Sequence, residues 1–116
     1  MNRKTVFFTL LATPALGWGM VHALLNATPD FAALHKENVV LYGASWCNNC
    51  ARTRQFLSAN HITFFEYDVD NSSEGQRQFK QLHGTGVPVI LVNREVIRGY
   101  DPDAIAQALQ RNRITQ

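Results

Sequence analysis

Apolar residues are arranged in two ways along this chain. Behind Arg3 and Lys4, the stretch Thr5 to Leu25 runs without a formal charge. From Val39 onward, short apolar runs alternate with mixed stretches. Val39-Val40-Leu41-Tyr42 is wholly apolar, the pattern of a strand buried on both faces. Cys47 to about Ala59 reads as a helix with Phe56 and Leu57 turned inward and Asn60 as its stop. Ile62 to Val69 is rich in aromatic and β-branched residues and predicts a second strand. Asn71-Ser72-Ser73-Glu74 resembles a capping box and should open a helix through Phe79 and Leu82, ended by Gly84. Val87 to Val92 predicts a third strand with Pro88 at its start, where a missing N–H is tolerated. Asn93-Arg94 turns it into a fourth, Glu95 to Arg98. Asp101 as cap and Pro102 at the first helical position open a last amphipathic helix carrying Ile105 and Leu109. The order β-α-β-α-β-β-α predicts a parallel pair with an antiparallel hairpin added to the same sheet. Phe31 to Glu37 is expected to form one or two helical turns.

The N-terminal stretch has the form of an export signal, a basic start followed by an uncharged apolar run. At about twenty residues it also suits a membrane span, at 1.5 Å per residue. Pro14, Gly17 and Gly19 weaken a helix there but are tolerated in spans. Cleavage after Gly17 or Ala27 and retention as an anchor both stay open. Either way Arg3 and Lys4 remain cytoplasmic and the rest is delivered across. The expected organisation is a signal peptide or membrane anchor (1–27), a linker or short helix (28–37), one α/β domain (38–112) and a tail (113–116). The expected location is periplasmic or otherwise extracytoplasmic, held at the inner membrane through residues 5–25.

Length and charge change this picture little. At 116 residues there is room for one domain. The net charge of +2, with basic residues interleaved among polar ones, argues against a nucleic-acid partner.

The chemistry rests on Cys47 and Cys50, the chain's two cysteines, in Ser45-Trp46-Cys47-Asn48-Asn49-Cys50. A structural zinc site needs four ligands, and neither a second cysteine pair nor suitably spaced histidines exist. A purely structural disulfide with so short a ring would restrict the unfolded chain little. Two thiols at a strand-to-helix turn do suit thiol–disulfide exchange. The first sits where helix amides favour a thiolate, and the second is close enough to resolve a mixed disulfide. His22, His35, His61 and His83 have no motif around them and read as spectators.

Taken with the order of elements, Cys47-x-x-Cys50, Gly86-Val87-Pro88 and Arg98-Gly99-Tyr100-Asp101 make the region Val39 to Leu109 resemble a glutaredoxin of the thioredoxin superfamily. The resemblance implies the thioredoxin fold, a mixed four-stranded sheet flanked by helices, here preceded by a hydrophobic N-terminal helix. It implies a cis Pro88 beside the disulfide, with Val87 offering its backbone to substrate. It also implies Cys47 as attacking and Cys50 as resolving sulfur. Trp46, Val87 and Tyr100 would form an apolar rim, with Gly99, Asp101 and Arg98 beside it and the last two holding polar ends of a peptide or of glutathione. Asn48-Asn49 replaces the Pro-Tyr or Gly-Pro of such motifs, and Ser45-Trp46-Cys47 looks more like a thioredoxin. No basic residue lies in Gly43 to Trp46.

The expected activity is therefore thiol–disulfide oxidoreductase on protein thiols and disulfides, with no tightly bound cofactor or metal. A membrane thiol–disulfide reductase or oxidase is the expected redox partner. The alternatives are a glutathione-dependent glutaredoxin using glutathione as co-substrate, a non-catalytic thioredoxin-fold domain, or a metal carrier using both sulfurs.

Overall fold

The computed structural model describes residues 28–114. The apolar stretch 5–25, and with it the expected signal or anchor helix, lies outside the described residues. Among the described residues no helix is long and apolar enough to cross a membrane.

Four strands, β1 (Val39–Gly43), β2 (Phe65–Asp68), β3 (Val89–Val92) and β4 (Glu95–Arg98), form one sheet in the order β2-β1-β3-β4. β1 and β2 are parallel, with Val40 opposite Phe65. β3 is antiparallel to both neighbours, Ile90 standing opposite Leu41 and Ile97. The parallel pair needs a crossover, which α1 (Asn48–Ala59) supplies. α2 (Ser73–Gln81), α3 (Pro102–Ile114) and a 3-10 helix (Phe31–Leu34) complete the domain. This is the expected mixed sheet flanked by helices.

The unbroken apolar runs of β1 and β3 are explained by burial on both faces. Val39, Leu41, Ile90 and Val92 meet Leu57 of α1 and Ile105 and Ala108 of α3. Val40, Tyr42, Val89 and Leu91 meet Phe31, Ala32 and Leu82, with Phe79 and Tyr67 packed beside them. The segment 28–37 therefore contributes Phe31 and Ala32 to the core through its 3-10 helix.

The element boundaries depart from the sequence reading in five places, the first being β3, which begins at Val89 rather than Val87 because Pro88 has no N–H to give to a ladder. β2 begins at Phe65 rather than Ile62, because the Ile62 N–H is spent on the Leu57 carbonyl at 2.9 Å, closing the end of α1. The capping box also slips by one residue. Asn71 Nδ2 donates to Asp68 Oδ2 (2.8 Å), so Ser72 becomes the cap and its Oγ accepts from the Gly75 N–H (3.0 Å). α2 stops before Gly84, since His83 takes the left-handed turn (φ 57°) and the Gly84 N–H reaches back to the Phe79 carbonyl. Finally, α3 runs two residues into the expected tail. Arg111 and Arg113 in its last turn suit the negative end of a helix.

Candidate active site

β1 ends at Gly43 and the chain turns through Ala44 to Trp46 into α1. Cys47 is the N-cap of that helix, with extended backbone (φ −87°, ψ 112°), and its sulfur accepts the Cys50 N–H at 3.1 Å. A sulfur takes the place that an oxygen of Ser or Asp usually occupies at a helix start. The two cysteines form a disulfide with their Cα atoms 5.2 Å apart. Cys47 keeps 7% of its surface exposed and Cys50 none. Only Cys47 faces solvent.

The opposite wall is the Val87-Pro88 segment, whose peptide bond is cis. The Val87 carbonyl oxygen lies 3.8 Å from Cys47 Sγ. A sulfur in a disulfide has no proton to donate, so in the oxidised protein this is a contact and not a hydrogen bond. Pro88 is buried, and its carbonyl accepts the Gly99 N–H at 2.9 Å. Gly99 has φ +81°, a backbone that favours glycine, and this turn ties β4 to the proline segment. Trp46 is 70% exposed and is held by its indole N–H, which donates to Asp70 Oδ2 at 2.7 Å. Trp46, Cys47, Asn48, Asn49, Arg52 and Val87 enclose a concavity of about 520 Å³ over the disulfide.

The structure thus brings Trp46, Cys47 and Val87 together, with Cys50 packed behind them and Pro88 buried beside Val87 in the chain. Arg98, Gly99, Tyr100 and Asp101 do not line that concavity. Arg98 Nη2 donates to the Leu82 carbonyl at 2.8 Å, fastening β4 to the end of α2. Asp101 Oδ1 accepts the Ala104 N–H at 3.0 Å and caps α3. Tyr100 is 37% exposed.

Two features escaped the sequence reading. Arg52 lines the concavity, and its i,i+4 spacing from Asn48 was the available signal, since such residues share one helix face. The other is an ion pair joining α1 to β2. Arg54 Nε donates to Glu66 Oε1 and Oε2 at 2.6 and 2.9 Å, and Nη2 to Oε2 at 2.7 Å. The Glu66 hydrogen bonds, opposed in part by burial, raise the Arg54 pKa above its ordinary value. No local sequence pattern marks a pair on a helix and a neighbouring strand. Among the described residues no three His, Cys, Asp or Glu side chains are grouped to hold a metal ion.

Comparison with known proteins agrees with this geometry. Residues 39–97, just over half of the chain, match the family model described as Glutaredoxin. An uncharacterized glutaredoxin-like 8.6 kDa protein in the rubredoxin operon of Clostridium pasteurianum is 23% identical over 74 residues, covering 63% of this chain and 99% of that protein. The glutaredoxin of Archaeoglobus fulgidus superposes with a TM-score of 0.58 at 22% identity, covering 71% of this chain and 96% of its own. The glutaredoxin-like NrdH-redoxin of Escherichia coli, described as having a thioredoxin-like activity profile, gives 0.55 at 20% identity over 60% of this chain and 91% of its own. At such identities the structures establish the fold, which is thioredoxin-like α/β.

Proposed function

The chain belongs to the glutaredoxin family, and on that premise we propose that it is a thiol–disulfide oxidoreductase exchanging its Cys47–Cys50 couple with thiols and disulfides of other proteins. One observation carries the reading. The solvent-facing sulfur is the N-cap of α1 and already accepts a helix amide, while its partner is buried one turn inward. That amide and the helix start favour a thiolate at Cys47, by about 0.3–1 kcal/mol for the dipole in an exposed setting.

In the reducing direction the Cys47 thiolate attacks a substrate disulfide. A Cys47–substrate bond forms, the substrate S–S bond breaks, and the departing sulfur takes a proton from water. The Cys50 thiolate then attacks Cys47 Sγ, closing the protein disulfide and expelling the second substrate thiolate. The substrate disulfide is reduced by two electrons and the protein dithiol is oxidised. Trp46 and Val87 offer apolar contact on either side of the sulfur, with Pro88 beside Val87 in the chain and Tyr100 at the edge of the β4–α3 turn. Such contact suits a polypeptide substrate. A second reading, glutathione mixed disulfides as substrate, is favoured by Arg52, whose cation beside Cys47 suits a carboxylate. A charge-assisted bond of that kind is worth about 1.5–3 kcal/mol.

The test uses the full chain against insulin and a glutathione mixed disulfide at matched concentrations. Cys50→Ser should accumulate a covalent complex with the protein substrate, and Cys47→Ser should form none. Turnover of insulin that Arg52→Gln leaves unchanged is the expected result. Saturable deglutathionylation that outpaces insulin reduction and drops ten-fold or more in Arg52→Gln would instead establish the glutathione reading.

A further inference from the structure

Cys50 has no exposed surface, and burial disfavours the charged form of a thiol. Yet in the exchange proposed above Cys50 must be a thiolate when it displaces the substrate from Cys47. The fold has to offset its desolvation. Its place in the first turn of α1 supplies part of the answer. The Arg54–Glu66 pair, which lies outside the substrate concavity, supplies a second part.

Arg54 stands one turn beyond Cys50 on the same side of α1. Besides its bonds to Glu66, Nη2 donates to the Ala44 carbonyl at 3.3 Å, in the loop that leads to Cys47. The guanidinium is thus fixed between α1, β2 and the cysteine loop. Its orientation is read at Gly43, the end of β1. A Cβ built there would stand 3.3 Å from Cys50 Sγ and 3.6 Å from Arg54 Nη2, with no atom of Glu66 as near. The buried sulfur and the guanidinium thus border the same point at the end of β1, and the carboxylate borders it less closely. Of the other elements around Cys50, β2 contributes a second anion, Asp68, which Arg54 also feels. β1 and the Val87-Pro88 segment contribute no charge.

We infer that the Arg54–Glu66 pair sets the ionisation of Cys50, and with it the rate of substrate release, its two members acting with opposite sign. The inference rests on the reading in which Cys47 attacks and Cys50 resolves. Cys50 loses its proton to water; the thiolate forms the bond to Cys47 Sγ as the Cys47–substrate bond breaks, and the electron pair leaves on the substrate sulfur. Arg54 acts on Cys50 through space and is a positioning residue. An opposite charge within about 4–6 Å lowers an acid's pKa by roughly 1–3 units. With Glu66 opposing it, the smaller end of that range applies.

Ellman's reagent, reacted with the reduced full chain, separates the two steps. One thionitrobenzoate is released when Cys47 attacks and a second when Cys50 resolves. In Arg54→Met, the pH midpoint of the second release should rise by about one unit, a ten-fold slowing at a fixed pH below it. In Glu66→Gln it should fall, leaving the first release unmoved in both. Cys50→Ser should abolish the second release alone. If it abolishes the first instead, the assignment of roles is wrong and this inference goes with it. If Cys50→Ser behaves as expected while both midpoints stay put, or move in the same direction, the pair is a structural clamp and this inference alone is overturned. Should Arg54→Met fail to fold, Glu66→Gln and Arg54→Lys decide: the first must lower the midpoint, and the second, which keeps the charge, must leave it in place.

Discussion

The two faces of the sheet are filled by different means. On one face α1 and α3 close over aliphatic side chains, with Leu57, Ile90 and Ile105 wholly buried. On the other a nine-residue helix and a four-residue 3-10 helix cover Val40, Val89 and Leu91, and the interior includes polar atoms. There the Tyr42 hydroxyl donates to Gln78 Oε1 at 2.6 Å, both residues having no exposed surface. Gln78 Nε2 in turn donates to Glu74 Oε1 (2.9 Å) and to the Tyr67 hydroxyl (3.3 Å), and Tyr67 is bonded to His35 Nε2 (3.0 Å). The aliphatic face gains from area removed from water and has no directional demand. The mixed face holds α2 in one register through bonds that cost heavily if broken singly. The cysteines start α1, so the redox end stands on the aliphatic face. The titratable groups of the polar network belong to the other.

The sharpest way to break the aliphatic face is Leu57→Ala. Leu57 is wholly buried between the sheet and α3. Deleting its branched end removes transfer energy and leaves a cavity, so unfolding stability should fall by about 2–5 kcal/mol, read by urea denaturation. For a domain this small that is a large share of the total. A loss well under 1 kcal/mol would mean that the face repacks, and the contrast between the two faces would dissolve.

These faces differ in how far the sequence exposes them. The aliphatic one is legible, because Val39 to Tyr42 and Val89 to Val92 are continuous apolar runs and Phe56-Leu57 falls in step with a helix. The cysteine pair at a helix start is legible for the same local reason. The mixed face is not. Gln78 sits in Ser73-Glu-Gly-Gln-Arg-Gln-Phe-Lys, where every polar residue looks solvated, and its partners on the sheet, Tyr42 and Tyr67, lie 36 and 11 positions away. His35 has no motif, yet its ring stacks on Phe65 with centroids 3.9 Å apart. Arg54 and Glu66 likewise meet only after α1 and β2 have packed. Contacts between distant positions depend on the fold and leave no local period to read.

Gly75→Ala probes the mixed face and separates local preference from packing. In a helix interior alanine is favoured over glycine by about 0.8–1.0 kcal/mol, so propensity alone predicts stabilisation. In this fold a Cβ on Gly75 would lie 2.6 Å from Tyr67 Cβ, close to the backbone of β2 where little can give. The helix would have to lift, disturbing the bonds between Gln78, Tyr42 and Tyr67. The expected result is a loss of about 1–3 kcal/mol, as for overpacking, measured in the same denaturation experiment. A gain in stability would show that α2 does not approach β2 this closely.

The smallest expected effect tests the charged fringe of the same face. Glu74 accepts from the Arg77 guanidinium and from Gln78 Nε2, and these bonds, Arg77 first, hold its carboxyl down to about 2 from an ordinary 4.5. A carboxylate whose pKa is depressed by folding adds stability that is complete above its unfolded value. That stability is lost as protons bind to the folded form. The window here runs from about 4.5 down to about 2. Glu74→Gln removes the titrating group, so the variant should melt below the parent at pH 6, and the gap should close as the pH falls through that window. Asp68, whose carboxyl is also held low, by Asn71 and by the Asp70 amide, titrates in both proteins and cancels in the difference. Because Glu74 and Arg77 are about half exposed, salt should shrink the gap at pH 6 as well. Leu57 carries no titrating group, and the carboxylates on its side of the sheet, Glu66 among them, titrate in parent and variant alike, so the Leu57→Ala deficit should stay constant over the same pH range. A Glu74→Gln gap that is flat from pH 6 to pH 2 would mean that the charge plays no part in holding α2, and that Gln78 and Tyr42 fix the mixed face without it.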